Sequence, residues 1–166
     1  VGEVASADSD RLAAMIDLNV RALVRLTTLL VPAMVSRRRG YVLNVASVAA
    51  FLPGPLMAVY YATKHFVHAF SQALTVELRS SGVAVTSLCP GPTRSGFQSV
   101  AGMETTALGR IPIPDAASVA RAGYRGLMRR RRVVVPGLSN KVLRIVAWLL
   151  PASLLLRAVT SMHRAH

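Results

Sequence analysis

The chain has 166 residues with 20 Lys+Arg against 7 Asp+Glu, a formal charge of +13, yet 52% of it is hydrophobic and only 16% is charged. That pairing excludes a disordered basic tail, because disorder needs low hydrophobicity as well as charge, and it points to one domain with a core. The single cysteine, Cys89, excludes an internal disulfide and favours a reducing compartment, and no Cys/His spacing suggests zinc. Glu3, Asp8 and Asp10 stand near the start without a basic opening or an apolar run, so the N-terminus does not read as a signal peptide.

From residue 10 to 35 the apolar side chains Leu12, Met15, Ile16, Leu23, Leu26, Leu30 and Met34 recur at spacings of three and four, which predicts one long helix. Asp8 or Ser9 can cap its start, and Gly40, after Arg37, Arg38 and Arg39, marks its stop. Residues 41–45 are apolar on both faces and read as a buried parallel strand ending at Ser47. After the Pro53, Gly54, Pro55 loop a second helix is expected from about Leu56 to Ser81, closed by Gly82, followed by a buried strand over residues 83–88 that Pro90, Gly91 and Pro92 stop. A polar loop runs to about Pro114. Asp115 then reads as the cap of a third helix that ends at the arginine run 129–132, and residues 133–135 as a third short strand.

Alternating helices and apolar strands predict an α/β fold with a parallel sheet. Three short strands make a narrow sheet whose first edge is unpaired unless strands precede Val1, so the sequence reads as part of a longer chain. The uncharged stretch 40–63 contains Asn44, Ser47 and the Pro-Gly-Pro break and reads as soluble core. Of the 20 basic residues 18 are arginine; the two runs are expected to cap and solvate helix ends, with a phosphate-binding surface for nucleic acid or anionic lipid as the alternative. Few aromatics interleave with them, so nucleic acid is not expected. The tail 138–166 is basic and apolar, and its uncharged run 145–156 is too short to span a bilayer and is broken by Pro151. It reads either as two short helices over the substrate cleft or a subunit interface, or as an interfacial helix on anionic lipid. In the second case Trp148 and the leucines insert, and Arg144, Arg157 and Arg164 lie at the headgroups.

Tyr60 and Lys64, four apart on a helix, share one face, and a neighbouring cation favours tyrosinate, which suits a group that exchanges a proton with an alcohol or ketone oxygen. Ser47, thirteen residues earlier, sits at a strand C-terminus, where open α/β sheets bind ligands. Asn19, the Asn44-Val45-Ala46-Ser47 strand end, Tyr60 through Lys64 and Pro90-Gly91-Pro92-Thr93 resemble, in order and spacing, the short-chain dehydrogenase/reductase family.

The resemblance implies the C-terminal part of a Rossmann-like, doubly wound parallel sheet with flanking helices: residues 1–137 as half of an NAD(P)-binding catalytic domain, 138–166 as a helical tail. It implies Tyr60 as general acid/base, Lys64 as the residue that lowers its pKa and binds the nicotinamide ribose, and Ser47 as the holder of the substrate oxygen. Asn19 anchors a proton-refilling water chain or, as the alternative, makes a plain interhelical hydrogen bond. Pro90, Gly91 and Thr93 are implied at the nicotinamide end and Ser95 near the pyrophosphate. The cofactor is NADP or NAD, with NADP preferred, and no metal is expected. The implied activity interconverts an alcohol and a carbonyl, on a small and lipid-like substrate. The full-length protein is expected to be a cytoplasmic homo-oligomer with peripheral membrane contact through the tail.

The family's glycine-rich turn and its Asn-Asn-Ala-Gly segment are missing from these 166 residues, so the stretch alone is expected to fold poorly and lack activity. The alternative class is a non-catalytic remnant that binds membranes or nucleic acid through its basic surface. Tyr61, one position off the Tyr60–Lys64 face, is assigned to packing or the substrate wall; His65 and His68 are structural, lacking the carboxylate or cysteine a metal pair needs; and Cys89 packs in the core, with a reactive thiol as the alternative. No G-x-S-x-G is present, which excludes the serine-hydrolase pattern.

Overall fold

A computed structural model describes residues 2–94 and 113–164. Helix α1 (Ser9–Ser36) leads into strand β1 (Gly40–Val45) and a 3-10 turn (Val48–Phe51). Helix α2 (Ala58–Glu77), strand β2 (Val83–Leu88), helix α3 (Ala116–Met128) and strand β3 (Val133–Val134) follow. The tail forms α4 (Leu138–Leu149) and α5 (Ala152–Arg164), with Pro151 between them. The strands form one parallel sheet in the order β1-β2-β3, with Gly40 beside Val83 and Ser87 beside Val133. The sheet is the expected α/β arrangement. Its central strand is buried at all six positions, as a parallel strand covered on both faces requires.

The two faces are distinguished by what the alternating side chains touch. Asn44 donates to Ser71 on α2 at 2.9 Å and His68 of α2 bonds Ser87 at 2.9 Å, so those positions face α2. Leu43 and Leu88 point the other way, onto Gly123 of α3. Gly126 lets α3 approach closer still, since Val134 occupies the space its Cβ would need. A core cluster of Ala46, Val67, Cys89 and Val135 lies under α2. A second, Leu52, Leu155 and Val159, seats α5 on the body with Tyr61 and Leu143 against it. The tail is therefore two short helices, and α5 is docked through its inner face.

Asp8 caps α1, accepting from the backbone N–H of Asp10 and Arg11 at 2.9 and 3.3 Å, and Asp115 caps α3 through Ser118 N–H at 2.6 Å. Both arginine runs end helices in the same way. Arg39 N–H reaches Met34 O and Arg38 N–H reaches Val35 O; Arg131 and Arg130 repeat this with Gly126 and Leu127. These are Schellman pairs, with Arg38 (φ 52°) and Arg130 (φ 53°) in the left-handed position glycine usually fills. The guanidinium groups of the same two residues reach the loop before β2, at Ser80 O and Gly82 O.

The inward line of α1 differs from the expected one. Ile16, Leu26 and Leu30 are exposed, on an outer stripe with Leu18 and Leu29. The inward positions include Asn19 and Thr27, polar residues that a search for apolar spacing passes over; Thr27 returns its hydroxyl to Leu23 O at 2.8 Å. That outer stripe makes α1 long and apolar enough to cross a membrane by length and composition, although its inner side lies along α2 and β1.

Candidate active site

Ser47 leaves β1 in an extended conformation and caps the following 3-10 turn, its Oγ accepting from Ala49 N–H at 3.2 Å and lying 3.4 Å from Pro90 O as donor. Pro90 O also accepts from Val48 N–H at 2.9 Å, which ties the ends of β1 and β2 together. Tyr60 and Lys64 stand on one face of the first two turns of α2. The Lys64 ammonium donates to Val45 O at 3.1 Å and lies 5.8 Å from the Tyr60 ring centre.

Tyr60 shares a hydrogen bond with the Ser47 side chain. Burial pushes its hydroxyl above the usual phenol range, and the Ser47 bond pulls it back only in part. The sequence leads one to expect the opposite net direction from Lys64. Here desolvation is the larger effect, and it lowers the Lys64 pKa as well. Both groups are thus held toward their neutral forms.

Asn19 occupies a π turn, Asp17–Arg21, where Ala22 N–H reaches back to Asp17 O. This turn puts the Asn19 side chain against α2, where its Nδ2 donates to Thr63 Oγ1 at 3.2 Å, and Thr63 in turn donates to Tyr60 O at 2.7 Å. The interhelical hydrogen bond is therefore present, and it connects Asn19 to the backbone of Tyr60. Asn19, Tyr60 and Lys64 line one cavity of about 700 Å³, whose other walls include Leu12, Met15 and Leu56.

On the cofactor side, Thr93 donates to Gly91 O at 3.0 Å. The space a Cβ on Gly91 would need is taken by the Asn140 side chain of α4, so packing against the tail accounts for this glycine. Ser95 lies outside the described residues.

The Tyr61 ring meets that of Tyr60 edge-on, 6.0 Å between centres, while its hydroxyl is directed to the tail. Its hydroxyl meets His163 Nε2 at 3.3 Å, and His163 Nδ1 lies 2.7 Å from Pro55 O. The second contact requires Nδ1–H as donor, which leaves Nε2 to accept from Tyr61. Burial pushes the Tyr61 pKa up to about 12. Sequence reasoning missed His163 altogether; a histidine three residues from the end of a basic tail carries no signal of a partner more than a hundred residues earlier. His68 bonds Ser87 and lies 3.6 Å from Cys89, whose thiol burial pushes upward. Among the described residues no group of three or more His, Cys, Asp or Glu side chains is placed to hold a metal.

Residues 1–104 match the short chain dehydrogenase family. The chain belongs to that family. It is 46% identical over 76 residues to the very-long-chain 3-oxoacyl-CoA reductase of Homo sapiens, an alignment covering 46% of this chain and 24% of the relative. It is 32% identical over 152 residues to very-long-chain 3-oxoacyl-CoA reductase-B of Danio rerio, covering 89% of this chain and 46% of the relative. The structure superposes on a short-chain dehydrogenase from Sphingobium yanoikuyae in complex with NADPH with a TM-score of 0.76 and 28% identity, covering 99% of this chain and 61% of that one. The chain thus spans less than half the length of these curated relatives.

Proposed function

We propose that this short-chain dehydrogenase stretch is the catalytic part of an NAD(P)-dependent oxidoreductase that interconverts an alcohol and a carbonyl. The observation that supports it is the connected set Ser47, Tyr60, Lys64 and Asn19 at the C-terminal ends of β1 and β2. The donors fit a nicotinamide riboside: a neutral-leaning Tyr60 hydroxyl and the Lys64 ammonium stand together at the edge of a mostly apolar cavity that Glu3, Asp8 and Arg11 also line. Tyr60, Lys64, Pro90, Gly91 and Thr93 would hold its nicotinamide end, with NADPH favoured by the Sphingobium relative. When bound, the nicotinamide supplies or accepts the hydride at the carbonyl carbon.

The chain's own residues handle the oxygen. Tyr60 gives its proton to the carbonyl oxygen as that oxygen gains charge, and takes it back in the reverse direction. Ser47 Oγ, only weakly engaged with Pro90 O, turns to donate to the same oxygen. Lys64 stabilises the tyrosinate left behind, and Asn19 fixes the turn of α2 that carries both. Tyr60, like any phenol, holds its proton at neutral pH, the form that carbonyl reduction needs, and burial reinforces this.

The relatives' names and the apolar walls favour a lipid-like 3-oxoacyl substrate. We read the full protein as a cytoplasmic homo-oligomer with peripheral membrane contact through residues 138–166. The 166 residues alone are read as lacking turnover. The test joins them to the glycine-rich half of a family member and follows NADPH oxidation with 3-oxoacyl thioesters and with small polar sugars. Turnover of the thioesters, abolished by Tyr60→Phe, is expected; turnover unchanged by that substitution, or turnover by the 166 residues alone, refutes the respective part.

A further inference from the structure

A second cavity, of about 910 Å³, lies at the outer edge of β3 between α3, α4 and the His68–Gln72 turn of α2. It shares no lining residue with the Tyr60–Lys64 cleft. Five cations border it: Arg125 and Arg129 from α3, Arg131 from the turn after it, and Lys141 and Arg144 from α4. Among the described residues the one ion pair is Arg21 with Asp17, so none of the five has a carboxylate partner. The Arg144 guanidinium lies 5.4 Å from the Phe51 ring centre, which holds it over an aromatic face. The positive field acts on the cavity wall: His68 is held below its ordinary pKa by burial and, next, by Arg144 and His65.

Helix α4 adds a second property. Lys141, Arg144, Ile145 and Trp148 lie at spacings of three and four and line the cavity. Beside them Leu138, Val142, Ile145 and Leu149 form an exposed apolar stripe, and Trp148 itself is 83% exposed. A soluble phosphate compound would use the cations but leave this stripe in water. An anionic bilayer surface uses both, with phosphates at the cations and the tryptophan and aliphatic side chains at the headgroup boundary. Helix α5 is not available in the same way, because Leu155, Val159 and His163 face inward.

We propose that this cavity and the outer face of α4 form a docking site for anionic phospholipid. Arg129, Arg131, Lys141 and Arg144 take the phosphates, and Trp148, Ile145 and Leu149 enter the interface. The inference rests on the peripheral contact in the functional reading above and assigns it to specific residues; it does not depend on hydride transfer.

The test uses the chain completed by the glycine-rich half of a family member, with any tryptophan there replaced by phenylalanine. It is floated with vesicles of phosphatidylcholine, with and without phosphatidylglycerol, and the emission of Trp148, the one tryptophan of the 166 residues, is read. Binding and a blue shift are expected only with the anionic vesicles, both weakening as salt is raised. Lys141→Glu with Arg144→Glu should reduce affinity at least ~10-fold. Arg37→Glu with Arg39→Glu, the same charge change on the other arginine run, should leave it within about twofold. Circular dichroism of each variant separates lost binding from lost structure. Equal losses from both pairs would overturn the site while leaving peripheral contact intact, whereas no binding to anionic vesicles would overturn both. A blue shift produced by pyrophosphate or by raising protein concentration, without vesicles, also overturns it, in favour of a soluble anion or a second copy.

Discussion

The Tyr60–Lys64 cleft and the basic cavity share one wall, helix α2, and are made of opposite materials. The first is walled mostly by apolar side chains, with Glu3, Asp8 and Arg11 of mixed sign along its N-terminal side, and burial holds Tyr60 and Lys64 toward neutrality. The second gathers five cations and an exposed tryptophan. A site for proton exchange needs few groups with tuned pKa values, while a site for attraction needs many charges kept ionised in water. The net charge of the chain therefore says nothing about its chemistry; it describes the second cavity and the helix ends.

That separation can be broken most severely by Tyr60→Phe. In the protein completed by a nucleotide-binding half, loss of this acid/base should lower NADPH oxidation by about 10²–10⁴-fold while vesicle flotation is unchanged. Parallel loss of both activities would merge the two sites. Next is Gly126→Ala, which places a methyl group where Val134 sits and pushes α3 from β3. Denaturant titration should show a loss of about 1–3 kcal/mol, with no change in the environment of Tyr60.

His163→Ala leaves Tyr61 and Pro55 O without their buried partner and should cost about 1–2 kcal/mol. Hydrogen exchange should locate the loosening in residues 53–61 rather than around α4.

The smallest effect is acid sensitivity. His68 binds its proton less readily in the folded chain than in the unfolded one, so below about pH 6.5 the unfolded state takes up more protons. Its contribution to stability is present above that pH and lost as pH falls through the lowered folded value. Arg144→Gln, by removing part of the cause, should shrink the acid drop in melting temperature between pH 7 and pH 5. An enlarged drop would show that the basic cavity does not act on His68.

Much of this was legible because it follows from local rules. The uncharged, β-branched-rich run 83–88 between Gly82 and Pro90 reads as a covered strand, and Asp115 before a periodic segment reads as a cap. Three of the four motifs that carry the site sit at strand ends and on one face of α2, where local spacing goes far to fix neighbours. The π turn at Asn19 was not legible, since an extra residue in a helix leaves the pattern of three and four nearly intact. Nor was the left-handed role of Arg38 and Arg130, a position where sequence rules look for glycine. The convergence of Arg125, Arg129, Arg131, Lys141 and Arg144 needed the sheet to bring α3 and α4 together.

The π turn also sets how this site can be lost without trace. Removing Leu18 or Val20 would let the helix close into ordinary turns and swing the side chains before it by about 100° relative to those after it. Such a chain would still read Asn, Ser, Tyr and Lys in order, yet Asn19 and Thr63 would no longer meet. In this fold a complete set of motif letters guarantees neither the interhelical bond nor the placement of the turn that carries Tyr60.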